Sequence, residues 1–574
     1  MRKSIFLLLM IMIMIPMSAY AERFIPEQPT IPVNDIKPGM NGYMLTVLKG
    51  SSPSRIPVRI VSVVHQKPGK NIPDTILIKL TGGTKLAQGM SGSPVYIQGR
   101  LAGAIRSGWD NSDQTLALVT PIEAMCKVFD YDGANKPSSP PTFTLTNVTV
   151  SGISAGNPAM SSLSRKMGVT FTQGVNASSG GLNVAGNPLK PGDSVAAMLV
   201  WGDVELSAVG AVTATAKDGS FLAFGHDFLK RGNSAYPSAG AYIHDIVNSS
   251  TFPFKLASAT NLNGTITQDR DAAIAGKFGY YAPSASGEFI FRNLDTGRED
   301  RYKFRTVADE FLTDELMEGV FKGLAEELWG RTGQGTMSVN IRIDGRNVPN
   351  GWARKDIFFS EENIINEAFK QAKDVINAYL TQPYAEAFPA GFSVTVEATQ
   401  NPKILEIEDM TAPEYASPGD DVEISVTLRG WRTEPFTRKF TMKIPEDASG
   451  IVEVIARSGG EQSFSQAAID AGLKNMDGIE RMLTEFKSED ANNELILELN
   501  ADRTGQVFSK GKSSKKSAKS KGKKAPAKHS DFLPEEEEFL SETKERRLKE
   551  GTLKIYSSEY YIDGFMRRII HTEK

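Results

Sequence analysis

Residues 89–109 read GMSGSPVYIQGRLAGAIRSGW, and the fold class follows from this stretch. Gly89 and Gly92 bracket Ser91 on a tight turn, because glycine bends the backbone sharply without a Cβ clash. An apolar run over 94–97, a two-residue turn at Gln98-Gly99 and a second apolar run over 101–106 then predict a hairpin ending at Ser107-Gly108-Trp109. Working outward, residues 30–125 predict further short strands at 43–48, 56–64, 75–80 and 117–121, separated by Gly, Pro, Asn and Asp clusters. Many short strands at close spacing imply a barrel or a sandwich.

A serine hydroxyl is a poor nucleophile unless it stands exposed on such a turn, near a base, with N–H groups aimed at the developing oxyanion. Ser91 is the candidate nucleophile, and the N–H groups of Gly89 and Ser91 are the candidate oxyanion donors. The hexapeptide 89–94 alone fits an ordinary hairpin turn equally well. The two following strands and Leu118-Val119-Thr120-Pro121-Ile122 favour the order found in trypsin-like proteases. Ser107, Gly108 and Trp109 would then line the cleft and pair with an extended substrate strand.

Any histidine chemistry has few owners, since the chain holds five: His65, His226, His244, His529 and His571. None sits at the HExxH or HxxxH spacing that places two imidazoles on one helical face, and the single cysteine, Cys126, excludes a disulfide framework and multi-cysteine metal sites. No metal or other cofactor is expected. Residues 211–226 read AVTATAKDGSFLAFGH: strand, Asp-Gly hairpin turn, strand, then a Gly-His corner. His226 is therefore the candidate general base. His65 and His244 read as partly buried structural imidazoles.

The run GMSGSPVYIQGRLAGAI at 89–105, with VTPIEAM at 119–125 and KPGMNGYMLTVLKG at 37–50, resembles the SpoIVB (stage IV sporulation protein B) serine peptidases and their secreted relatives. The Ala-Phe-Gly-His corner at 223–226 is similar to that family's Gly-His block. The resemblance covers roughly residues 30–290 and implies a trypsin-like double β-barrel with Ser91 as nucleophile. It departs from the family in order, since Ser91 precedes His226 here and the two halves look permuted. Nothing resembling the family's PDZ module is evident. The family carries an aspartate a short way upstream of the serine turn. Here only Asp74 is available, at a spacing that does not match, so Asp74 leads as triad acid with Asp110 and Asp269 as competitors.

The rest of the 574 residues sets the surroundings. Residues 1–21 combine Arg2 and Lys3, an apolar run and Ala19-Tyr20-Ala21, which reads as an export signal, cleaved or retained as an anchor. The expected organisation is a serine-bearing barrel half at 22–136, a connecting segment at 137–190, a histidine-bearing half at 191–300 and an α+β segment at 301–390. An immunoglobulin-like β-sandwich follows at 391–507, then a lysine-rich linker at 508–531 and C-terminal strands at 532–574 that return to the sandwich. Helices are predicted at 158–167, 306–329 and 360–380. Lys+Arg 65 against Asp+Glu 68 gives a net charge of -3, which offers nucleic acid no whole-chain attraction. The expectation is a mainly β, exported serine endopeptidase acting on a protein or peptide. It would carry no transmembrane helix beyond the signal, and its sandwich is a candidate surface for an envelope partner. The competing classes are a non-catalytic secreted scaffold that binds peptides or the envelope, and a chain that processes only itself.

Overall fold

The computed structural model describes residues 24–65, 74–131, 147–175, 186–249, 251–387, 389–459, 478–503 and 539–572. The expected signal at 1–21, the turn-rich boundary at 133–141 and the lysine-rich linker at 508–531 lie outside them. The chain is mainly β and divides into two compact units. One comprises residues 1–289, 301–328 and 389–392, and the other comprises 290–300, 329–388 and 393–574.

In the first unit, β1 (Asn41–Val47), β2 (Pro53–Val64), β3 (Thr75–Leu80), β4 (Pro94–Ile97), β5 (Arg100–Ser107) and β6 (Leu116–Pro121) form a closed antiparallel barrel. Its order is β1–β2–β3–β6–β5–β4 and back to β1. The two-residue period of a strand explains the inside of this barrel: Ile56, Val58 and Ile60 of β2 are buried while Arg55, Pro57 and Arg59, which alternate with them, face out. They join Met44, Ile76, Ile78 and Met90 in one core.

Beyond β7 (Asn147–Ser151) and β8 (Thr170–Gln173) come β9 (Ser194–Gly202), β10 (Glu205–Thr215), β11 (Ser220–Ala223), β12 (Gly232–Val247), β13 (Phe254–Arg270) and β14 (Ala273–Phe278). Their antiparallel pairings also return on themselves: β9–β10–β11–β14–β13–β12 and back to β9. Numbered within each circuit, both run first, second, third, sixth, fifth, fourth. The paired long strands β12 and β13 were legible only as part of a β-rich region, because residues 254–270, FKLASATNLNGTITQDR, hide alternation behind small polar residues. The helix Pro158–Met167 is capped by Asn157, whose side chain accepts from Ala159 N, and it ends at Gly168 in the left-handed conformation.

In the second unit, Ile404–Thr411, Asp421–Gly430, Phe436–Lys443 and Tyr561–Asp563 form a four-stranded sheet. A five-stranded sheet holds Tyr415–Ala416, Ala448–Ser458, Glu494–Arg503, Leu553–Ser557 and Phe565–Thr572. Ile424, Val426, Val452, Val454 and Leu497 from both sheets share one core. The single helix expected at 360–380 is instead two, Ile364–Ala368 and Lys370–Thr381. Phe369, the residue between them, sits at φ −102°, ψ −2° with a buried side chain. Among the described residues no helix is long and apolar enough to cross a membrane.

Candidate functional site

Ser91 and His226 occupy matching places in the two circuits, each on the connection between the third and fourth strands: β3 to β4 for Ser91 and β11 to β12 for His226. The serine turn is built by glycines at Gly89 and Gly92, both at φ +86°. Gly92 N–H donates to Ile105 O at 2.8 Å, which ties the turn to β5. The turn is also docked onto the second circuit: Ala211 N–H donates to Ser91 O at 2.8 Å, and Thr213 Oγ1 donates to Gly92 O at 2.7 Å. This approach is close enough that a Cβ on Gly92 would lie 2.1 Å from Ala211 O and 2.4 Å from Phe224 N.

The histidine corner is strained in a compensated way. Phe224 (φ +67°) and Gly225 (φ +69°) are consecutive left-handed residues, a conformation a bulky side chain adopts only when its surroundings impose it. The surroundings here are a buried Phe224 ring set edge-on to Phe228, and a bond from Thr120 Oγ1 of β6 to Gly225 O at 2.6 Å. Asp269 fixes the segment after the corner, its carboxylate accepting from Phe228 N at 2.7 Å, Leu229 N at 2.8 Å and Arg231 N at 3.3 Å. Burial pushes Asp269 up to about 6 against the pull of those three donors.

Between the circuits lies a cleft of about 630 Å³ whose lining includes Ser91, His226, Gly89, Ser107, Gly108 and Trp109. Among the described residues, the N–H groups of Gly89 and Ser91 have no acceptor, and the N–H and C=O of Gly108 have no partner. Two donors beside a serine hydroxyl and an open strand edge are thereby available to a ligand. The His226 ring Nδ1 lies 2.5 Å from Asp227 O. A carbonyl can only accept, so Nδ1 carries the proton and Nε2 keeps its lone pair, the tautomer a general base needs. Burial lowers the His226 pKa below the ordinary 6.5, opposed by Asp227. No hydrogen bond joins Ser91 Oγ to the ring in this structure.

Asp74 is not brought to His226, which corrects its assignment as triad acid. Val64 and Thr75 are register partners, so His65 and Asp74 meet at the mouth of the β2–β3 hairpin, and Asp74 Oδ2 lies 2.8 Å from His65 Nδ1. Asp110 lines the cleft without a bond to His226, and Asp269 holds backbone rather than imidazole. The Asp227 carbonyl stands where a carboxylate was expected. No residue-type signal could reveal it, since every residue has a carbonyl. His65 is exposed rather than partly buried, whereas His244 is partly buried with Nε2 2.9 Å from Ser258 Oγ. His571 lies beside the Tyr415 ring, and His529 is outside the described residues.

Lys255, which no motif singled out, also lines the cleft. Comparison of the chain with protein-family models, with curated proteins and with solved structures returned no match.

Proposed function

We propose that the chain is an exported serine endopeptidase of SpoIVB type, with a trypsin-like double β-barrel whose serine and histidine halves stand in permuted order. The observation that carries this reading is the equivalence of Ser91 and His226, which sit on the same connection of two circuits with one strand order and line one cleft. A peptide lies along Ser107–Trp109 as an added strand, using the unpaired main-chain groups of Gly108. His226 Nε2 takes the Ser91 proton as Oγ attacks the scissile carbonyl, and the Gly89 and Ser91 N–H groups receive the oxyanion. The His226 proton then passes to the leaving amine, and water deacylates Ser91 by the reverse sequence.

With the Asp227 carbonyl as the orienting group, the imidazole tautomer is fixed but the imidazolium is less well stabilised than by a carboxylate, so slow turnover is expected. Export rests on the sequence of residues 1–21. The two sheets of the second unit are compatible with an immunoglobulin-like sandwich offered to an envelope partner.

A second reading, a non-catalytic peptide-binding scaffold, is favoured by the missing Ser91–His226 hydrogen bond and, among the described residues, the absence of a carboxylate bonded to the His226 ring. Incubation with an alkyl fluorophosphonate separates the two. Covalent labelling that Ser91→Ala abolishes and His226→Ala lowers by at least a hundredfold supports the peptidase. Folded wild-type protein that takes no label excludes it.

A further inference from the structure

Among the described residues that line the cleft, Lys255 of β13 is a buried cation whose hydrogen bonding is incomplete. It is 4 % exposed, and its stem runs over the serine turn, so that a Cβ on Gly89 would lie 3.2 Å from Lys255 Cβ and Cδ. Its Nζ donates to Thr46 Oγ1 of β1 at 3.0 Å, and Thr46 is itself fully buried. An ammonium has three N–H donors. Two are left without an acceptor, and among the described residues no carboxylate lies within ion-pair reach of Nζ. A charge held in this way is costly to the folded protein unless something completes its shell. Burial alone pushes the group down to about 7. The other charged or titratable groups lining the cleft are Arg106, Asp110, His226 and Asp227, and none bonds to Nζ; from β1 it meets the neutral Thr46 hydroxyl.

We propose that Lys255 forms an anion subsite of the cleft that receives a carboxylate of the bound peptide. A carboxylate offers two oxygens to two waiting donors and supplies the missing counter-charge. It arrives either on an acidic side chain or as a free C-terminus. The inference rests on the reading of the cleft as a peptide-binding site, and it adds the chemistry that selects the peptide. Binding draws a proton onto Lys255, because the charged form gains a partner that the free protein lacks.

The test is direct binding to the Ser91→Ala protein, which needs no hydrolysis. Fluorescein-labelled octapeptide pools are compared by anisotropy at pH 7: one with a fixed central Glu and amidated C-terminus, one with Gln and amidated, and one with Gln and a free C-terminus. One acid-bearing pool should bind at least tenfold more tightly than the neutral pool, and which one does so identifies the source of the carboxylate. Adding Lys255→Met should remove the difference. Raising the pH to 9 in Ser91→Ala alone should weaken it as the amine discharges, which keeps the test decisive should Lys255→Met fold poorly. Equal binding of the three pools, no binding of any, or a preference that survives both Lys255→Met and pH 9 overturns the subsite. Fluorophosphonate labelling of the wild type is read separately, so loss of the peptidase reading and loss of the subsite are told apart.

Discussion

His226 shows how a single imidazole is set by its own neighbour. The Asp227 carbonyl holds Nδ1–H, and burial opposes protonation, so the neutral base persists into mildly acidic solution. The sign follows directly: a lowered pKa moves the acidic limb of a base-dependent rate to lower pH. The acidic limb of fluorophosphonate labelling of Ser91 should therefore have its midpoint below 6.5; a half-maximal rate at or above 6.5 would contradict the assigned environment. The same reasoning explains why the acid was not legible. Nothing along the sequence separates the uses of Asp74, which led as the acid, from those of its competitors Asp110 and Asp269: a His65 pair, the cleft wall and the 228–231 backbone depend on where strands end.

The turn and the corner are the elements that present the two side chains. Gly92 answers two demands at once, a positive φ and a backbone approach that leaves no room for a methyl group. Gly92→Ala should cost about 3 kcal/mol or more, from left-handed strain together with overpacking, and is measured as a lower melting temperature. Labelling should fall further than stability does, since the turn must also move away from Ala211 O. Strand β2 was readable because a strand with one buried face alternates, as Ile56, Val58 and Ile60 do, whereas β4 and β11 beside the turn and the corner are buried throughout and show only as short apolar runs between turn residues. Helix 360–380 was misread as continuous for a related reason. Its apolar period persists through Phe369, so the pattern carries no sign of the break that the backbone makes there.

Across the whole molecule, the site exists only because two closed circuits dock inside the first unit. The bonds from Thr213 to Gly92 O and from Thr120 to Gly225 O cross between them, one at the serine turn and one at the histidine corner. Thr213→Val and Thr120→Val each leave a carbonyl without its donor, at a cost of about 1–3 kcal/mol. Each should slow Ser91 labelling by more than tenfold while the other circuit's packing is untouched. Unchanged labelling in both would mean that these contacts do not set the site.

Sequence alone determined the mainly β class of the chain and singled out Ser91 and His226 as the candidate pair. Glycine placement, two-residue alternation and the scarcity of histidine are local properties, readable along one line of residues. Only the tertiary structure decided that β9 to β14 close into a second circuit, that the Asp227 main-chain carbonyl rather than a side-chain carboxylate bonds the His226 ring, and that Lys255 reaches the back of the serine turn. The first and last of these concern residues such as Lys255 and Thr46, far apart along the chain and brought within a hydrogen bond by strand pairing and burial, and the second depends on the backbone angles at one corner; no periodicity records either.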